Sequence, residues 1–246
     1  MRTVAIIQAR MGSTRLPGKA MLPLAGKSMT QNIIERVRRA TKLDYVVLAF
    51  PLTDAEAFIP VLLSQHNTPG VPFGSYAAQG DENDLVSRYL NAAQSYNADI
   101  VVRIPGDNPC VDGEFIDEAI EHYLRYAHPF VSNADHVTFC AGRPAQWYEV
   151  DGLGAEVFSL SRLKWLERIT AGHATLREHP HKWFYDNLCV ARTSMCPNRL
   201  INKIRLDVND SKDYEFVKMI YDHFGHNRFH ISEVLAYLDA TRQLAS

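Results

Sequence analysis

The sequence predicts an α/β protein built on a mostly parallel, doubly wound sheet, and three observations predict it. Continuous apolar runs recur at TVAIIQA (3–9), YVVLAF (45–50) and DIVVRI (99–104). Each has strand length and is apolar at nearly every position, as a strand buried on both faces requires. Amphipathic segments of helical period lie between them. The connections are short, and parallel strands joined this way need crossover helices.

Taken in order, residues 28–42 follow the first run as a helix. Ser28 or Thr30 can cap it, and Met29, Ile33, Val37 and Ala40 share one face. After the second run, residues 54–64 read as a helix. Pro69, Gly70, Pro72, Gly74 and Gly80 then mark loops around a short extended piece. NDLVSRYLNAAQSY (83–96) is a helix with Leu85, Val86, Tyr89, Leu90 and Ala93 on one face. The third run leads to GEFIDEAIEHYLRYA (113–127), again amphipathic.

From about 130 to 200 the alternation loosens. HVTFCAGRPAQWYEV (136–150) reads as extended or hairpin structure, LSRLKWLERI (160–169) as a helix, REHPHKWFYDN (177–187) as irregular, and LCVARTSM (188–195) as a possible strand. NKIRLDV (202–208) returns as a strand. A helix follows with Tyr214, Val217, Ile220, Tyr221 and Phe224 in register, and ISEVLAYLDATRQ (231–243) is the last helix. With no repeat, low-complexity tract or linker, the expectation is one domain over 1–246 with an inserted antiparallel subregion at about 130–200.

Composition narrows the function. The chain has 246 residues, 46% hydrophobic and 22% charged, with a net charge of −2. No global basic field exists to hold nucleic acid, so any anion must be bound by a local cluster of cations. No apolar stretch approaches a membrane span, and Arg10 and Arg15 directly follow the first run, so a cytoplasmic protein is expected. Cys110, Cys140, Cys189 and Cys196 form no C-x-x-C pair and read as buried or free thiols. His179-Pro180-His181 offers two imidazoles without a third ligand nearby.

The segment ARMGSTRLPGKA (9–20) carries the functional signal. A Gly-rich loop between a first strand and its helix is where α/β proteins bind phosphates. It is not a Walker loop, because five residues separate Gly12 from Gly18 and Ala20 follows Lys19. The G-x-G-x-x-G dinucleotide pattern is absent too. Arg10, Arg15 and Lys19 place three cations within ten residues, Gly12 and Ser13 allow close backbone approach, and Pro17 restricts the loop. The ordinary alternative is a solvated basic turn. Asp107 stands just beyond the third run, where a crevice ligand should stand, although Gly-Asp-Asn-Pro is also good turn chemistry.

QARMGSTRLPGKAMLPLAGKSM closely resembles the N-terminal signature of the cytidylyltransferase family. That family includes the CMP-KDO and CMP-sialic acid synthetases and the spore-coat polysaccharide biosynthesis protein F group, the last looking nearest. GDENDLVSRYLNAA, VVRIPGDNP, DGLGAEVFS, REHPH and IRLDVNDSKDYEFV resemble later blocks of the family in the same order. The resemblance implies a Rossmann-like fold of the nucleotide-diphospho-sugar transferase type. It further implies a Mg²⁺-dependent enzyme that couples CMP from CTP to an acidic acceptor (a sugar acid, phosphate or phosphonate) and releases pyrophosphate, for surface polysaccharide or glycan precursors. Its partners would be CTP, the acceptor and a second copy of the chain, the 130–160 segment being the candidate dimer surface, with no nucleic acid and no membrane.

By the same resemblance, Ala9, Arg10, Gly12, Ser13, Arg15, Lys19, Arg88 and Arg103 would bind the nucleotide, with Lys19, Arg10 and Asp107 catalytic. Arg88 has a helix cap or a salt bridge as its ordinary alternative. Asp107 and Asp207 would hold the metal, with Asp210 in reserve. Relatives place carboxylates at i and i+2 on a late strand, whereas this chain has Asp207 and Asn209. Glu156, Arg177, Glu178 and His179 are the candidate acceptor residues, each with a surface or salt-bridge alternative. Gly154 and Ala20 replace the Asp and Asn common in relatives. Two other functions stay open: a non-catalytic nucleotide-binding paralogue acting as a complex subunit, which Asn209 and Gly154 keep alive, and a nucleotide-sugar glycosyltransferase. The Asp-x-Asp pattern usual for the latter is missing at Asp107–Pro109 and at Asp207–Asn209.

Overall fold

The structure is a computed structural model and describes residues 1–126, 131–132, 137–140, 147–180, 183–184, 191–192 and 202–241. The chain begins with β1 (Thr3–Gln8), the small hairpin β2 (Pro23–Leu24) and β3 (Lys27–Ser28), and α1 (Met29–Val37). It continues through β4 (Tyr45–Pro51), α2 (Ala55–Gln65), β5 (Phe73–Ala78), α3 (Leu85–Ser95), β6 (Ile100–Ile104) and α4 (Gly113–Tyr126). Then come β7 (Val131–Ser132), β8 (Val137–Cys140), β9 (Trp147–Asp151), β10 (Glu156–Ser159), α5 (Leu160–Ile169) and α6 (Ala174–Glu178). β11 (Ala191–Arg192), β12 (Asn202–Arg205), α7 (Ser211–Phe224) and α8 (Ile231–Ala240) complete the described elements.

Seven strands form one sheet in the order β11-β7-β10-β6-β1-β4-β5. β1 pairs in parallel with β4 and β6, and β4 with β5; β10 alone runs antiparallel, between β6 and β7. A second sheet has the order β12-β9-β8, with β8 antiparallel and β12 parallel to β9. The antiparallel β8–β9 pair falls on the stretch read as a hairpin. Residues 130, 133–136 and 141–146 of the candidate dimer segment, and most of 188–195, lie outside the described residues.

β1 explains the first apolar run. Ala5 and Ile7 belong to one core cluster, with side chains of α1, α2, α4, α7 and α8. Val4 and Ile6 belong to a second, with Val86, Tyr89, Ala92 and Ala93 of α3 and Leu163 and Leu166 of α5. Side chains alternate along a strand, so a strand covered by helices on both faces must be apolar at every position. Ser28 caps α1 in a reciprocal capping box with Gln31, while Thr30 is buried and donates to Ala20 O instead. Cys110 is buried as a free thiol, and burial pushes its pKa up to about 12. His181 and the side chains of the other three cysteines are outside the described set.

From β1 the chain moves to β4 and β5 on one side, then crosses back to β6 on the other. The order therefore reverses between β1 and β6, and ligands in open α/β sheets bind beyond the strand ends at such a point.

Candidate active site

The loop 9–22 leaves the C-terminal end of β1 at this switch point. Its shape is fixed locally: Ser13 N–H and Gly18 N–H both donate to Met11 O, and Leu16 N–H donates to Ser13 Oγ. Asp54, just after β4, accepts from Met11 N–H at 2.8 Å and pins the loop to the sheet. On the β6 side, Gly106 lies so close to Gln8 that a Cβ there would stand 1.8 Å from Gln8 O, so only glycine fits.

Between the two loops opens a cleft of about 440 Å³. Of the predicted residues, Ala9, Arg10, Ser13, Arg15, Lys19, Arg88, Arg103, Asp107, Glu178 and His179 line it. Lys19 Nζ donates to Asp107 Oδ2 at 2.9 Å and to Val208 O at 2.7 Å. Arg15 Nη2 donates to Asn209 Oδ1 at 2.6 Å. Arg10 donates to Asn83 Oδ1 and lies 3.8 Å from Glu178 Oε1. Five cationic side chains face two carboxylates, so the cleft is a local anion site in a nearly neutral chain.

The inner wall is buried. Arg88 donates to Glu82 O at 2.5 Å, and burial holds its guanidinium below the usual arginine range. Burial also opposes the Arg103 charge, but Glu156, 2.8 Å away, more than offsets it and the Arg103 pKa is raised. The Nε atoms of Arg88 and Arg103 are buried with no acceptor among the described residues. Tyr89, its phenol pushed up by burial, donates to Gln8 Oε1 at 2.8 Å, and Gln8 also faces the cleft.

The remaining predicted residues stand elsewhere. Gly12 is behind the lining, where a Cβ would come within 2.9 Å of Glu82 Oε2. Glu156 is 1% exposed beneath Arg103 and offers no face to an acceptor. Arg177 is held by Asp84 and Glu167, outside the lining. Asp207 is taken by Arg205 at 3.0 Å and by the Asn209 amide, and Asn209 lines the cleft in its place. The reason is that β12 ends at Arg205, so the alternation that would align residues i and i+2 no longer applies. Asp210 caps α7 through Lys212 N–H and Asp213 N–H.

Gln8, Asn83 and Asp54 were not expected from the sequence. Asn83 sits just before α3, where it reads as part of a helix start, and Asp54 reads the same way before α2. A second group of ligand-type side chains, Asp112, Glu114 and His230, has its ligand atoms within 4.8 Å of one another. It lines a separate cavity of about 850 Å³ and is absent from the cleft.

A mostly parallel sheet with a cation-rich loop at its switch point and an acidic residue bonded to that loop defines an α/β nucleotidyltransferase. The chain belongs to the cytidylyltransferase family, whose sequence model matches residues 4–241, and it is a CTP-dependent nucleotidyltransferase. It is 29% identical over 225 residues to the spore coat polysaccharide biosynthesis protein SpsF of Bacillus subtilis, covering 89% of this chain and 86% of that one. It is 37% identical over 124 residues to the 3-deoxy-manno-octulosonate cytidylyltransferase of Trichlorobacter lovleyi, covering 50% and 46%. Among solved structures, a cytidylyltransferase from Leptospira borgpetersenii superposes with a TM-score of 0.78 at 26% identity, covering 99% of this chain and 96% of that one. No helix among the described residues is long and apolar enough to cross a membrane.

Proposed function

We propose that the protein transfers CMP from CTP to a small acidic acceptor, with release of pyrophosphate and with Mg²⁺ as the metal, in the synthesis of a surface-polysaccharide precursor. The observation that carries this reading is the convergence of Arg10, Arg15 and Lys19 with Asp107 in one cleft at the switch point. Arg10, Arg15 and Lys19 bind the triphosphate. Arg88 and Arg103, with Gln8, line the part of the cleft that takes the cytidine. An acceptor oxygen attacks the α-phosphorus in line, and Lys19 stabilises the charge that develops on the departing pyrophosphate. Glu178 and His179, which also line the cleft, orient the acceptor and take its proton where it attacks as a hydroxyl.

The hard oxygens of Asp107 and Asn209 suit Mg²⁺, which accepts one or two carboxylates and keeps several waters. When bound, the ion neutralises phosphate oxygens. Asp207 acts one shell back, holding the Asn209 amide. A homodimer is proposed on the family resemblance alone, and light scattering tests it.

The activity is tested by pyrophosphate release from CTP and Mg²⁺ across a panel of sugar acids, phosphates and phosphonates. Mass spectrometry then identifies the CMP product. Tight CTP binding without turnover on any acceptor overturns the reading in favour of a non-catalytic nucleotide-binding subunit.

A further inference from the structure

Arg177 lies beside the cleft and not in it, yet its guanidinium is among the most heavily used groups of the described chain. Nε and Nη2 donate to Asp84 Oδ2 at 3.0 and 2.8 Å. Nη2 also reaches Ser87 Oγ at 2.6 Å and the two Glu167 carboxylate oxygens at 3.0 and 2.9 Å. Nη1 points to Thr170 Oγ1 at 3.3 Å and Glu167 O at 3.4 Å. One side chain, 13% exposed, thereby ties the start of α3, the end of α5 and α6 together.

Each of the tied ends carries part of the cleft. Asp84 caps α3 through Ser87 N–H, so fixing Asp84 fixes the first turn of that helix. Its immediate neighbours Asn83 and Leu85 line the cleft, as does Arg88 one turn on. On the other side, the two residues after Arg177 are Glu178, which pairs with Arg10, and His179. The walls thus meet through one planar fork whose donors are all directed at once, a geometry that a lysine ammonium cannot reproduce.

We infer that Arg177 is a positioning residue, which locks the nucleotide-facing start of α3 against the acceptor-facing end of α6 and so sets the width of the cleft. The assignment of the two walls to nucleotide and acceptor rests on the proposed function; the clamp rests on the hydrogen bonds alone. Asp84 is held below the usual aspartate range and Arg177 above the usual arginine range by this pairing, against the effect of burial on both.

The test compares the full-length wild type with Arg177→Gln and Arg177→Lys by amide hydrogen exchange and by calorimetric titration with CTP. Arg177→Gln is expected to speed exchange about tenfold in residues 81–88 and 174–180 while β1 and β6 stay protected. Its affinity for CTP should fall by about tenfold, because a small displacement of binding groups is costly. Arg177→Lys, which keeps one ion pair, should recover part of both losses and remains informative if the glutamine variant does not fold. A melting temperature that falls while local exchange and CTP affinity stay at the wild-type values would overturn the clamp and leave only a stabilising role. Failure of the wild type to bind CTP would count against the proposed function, and the exchange comparison would still decide the clamp.

Discussion

Lys19 Nζ bonds Asp107 Oδ2 at 2.9 Å, across 88 positions of sequence, and the same ammonium holds Val208 O at 2.7 Å. Three loops therefore converge on one cation: the loop after β1, the loop after β6 and the segment after β12. On the proposed function Lys19 faces the leaving phosphates, and Lys19→Ala should then lower kcat by roughly 10²–10³-fold, the scale of losing one preorganised donor. Asp107 is 31% exposed, so losing its partner should change folding stability by no more than about 1 kcal/mol. Pyrophosphate release and thermal unfolding on the same preparation separate the two effects. Retained turnover would take Lys19 out of the mechanism.

Glu156 should show itself in stability. Its carboxylate is 1% exposed and pairs with Arg103 Nη1 at 2.8 Å. Glu156→Gln leaves the buried guanidinium without its counter-charge, which costs about 3–5 kcal/mol. The midpoint of urea unfolding should fall accordingly. An unchanged midpoint would mean that the pair does not form.

The parallel sheet was legible because its strands are buried on both faces, which leaves continuous apolar runs no other short element explains. β10 was not legible as a strand. EVFS is four residues long, too short for periodicity, and its place between β6 and β7 depends on pairing at a distance. The loop residues Arg10, Ser13, Arg15 and Lys19 were legible because they lie close together in sequence and leave one strand end. Glu156 and Arg177 were misleading for the opposite reason. A charged residue type shows that a group can bind or pair, but its use is decided by partners 53 and 93 positions away.

Acid should weaken the Asp84–Arg177 clamp. Burial alone would raise the Asp84 pKa, but Arg177 and Ser87 bring it below the ordinary value of 3.8. The unfolded chain then binds the proton more readily than the folded one. The stability from Asp84 is complete above the ordinary aspartate range and is lost as pH falls through the lower, folded value. Asp84→Asn should be less stable than the wild type at neutral pH, and the gap should narrow below about pH 4. Urea unfolding of both proteins across that range measures the gap. A gap that widens on acidification would reverse the sign of the linkage.

Asn209 is where the cleft and the candidate metal ligands meet. Its Oδ1 accepts from Arg15 Nη2 at 2.6 Å, while its Nδ2 donates to Asp207, which Arg205 holds at 3.0 Å. Asn209→Asp replaces that donor by a carboxylate oxygen, so two like charges would face each other where a hydrogen bond stood. Without a divalent ion, this repulsion should cost on the order of 1 kcal/mol at a partly exposed site, reduced by the stronger pairing with Arg15. With Mg²⁺ and CTP, the added charge in the cleft that Asp107 also lines should tighten metal binding by roughly tenfold, since affinity for hard cations follows ligand charge. The variant should therefore melt below the wild type in EDTA and regain more than the wild type does as Mg²⁺ is added in the presence of CTP. Equal Mg²⁺ responses in the two proteins would separate Asn209 from the metal and leave it the task of holding Arg15.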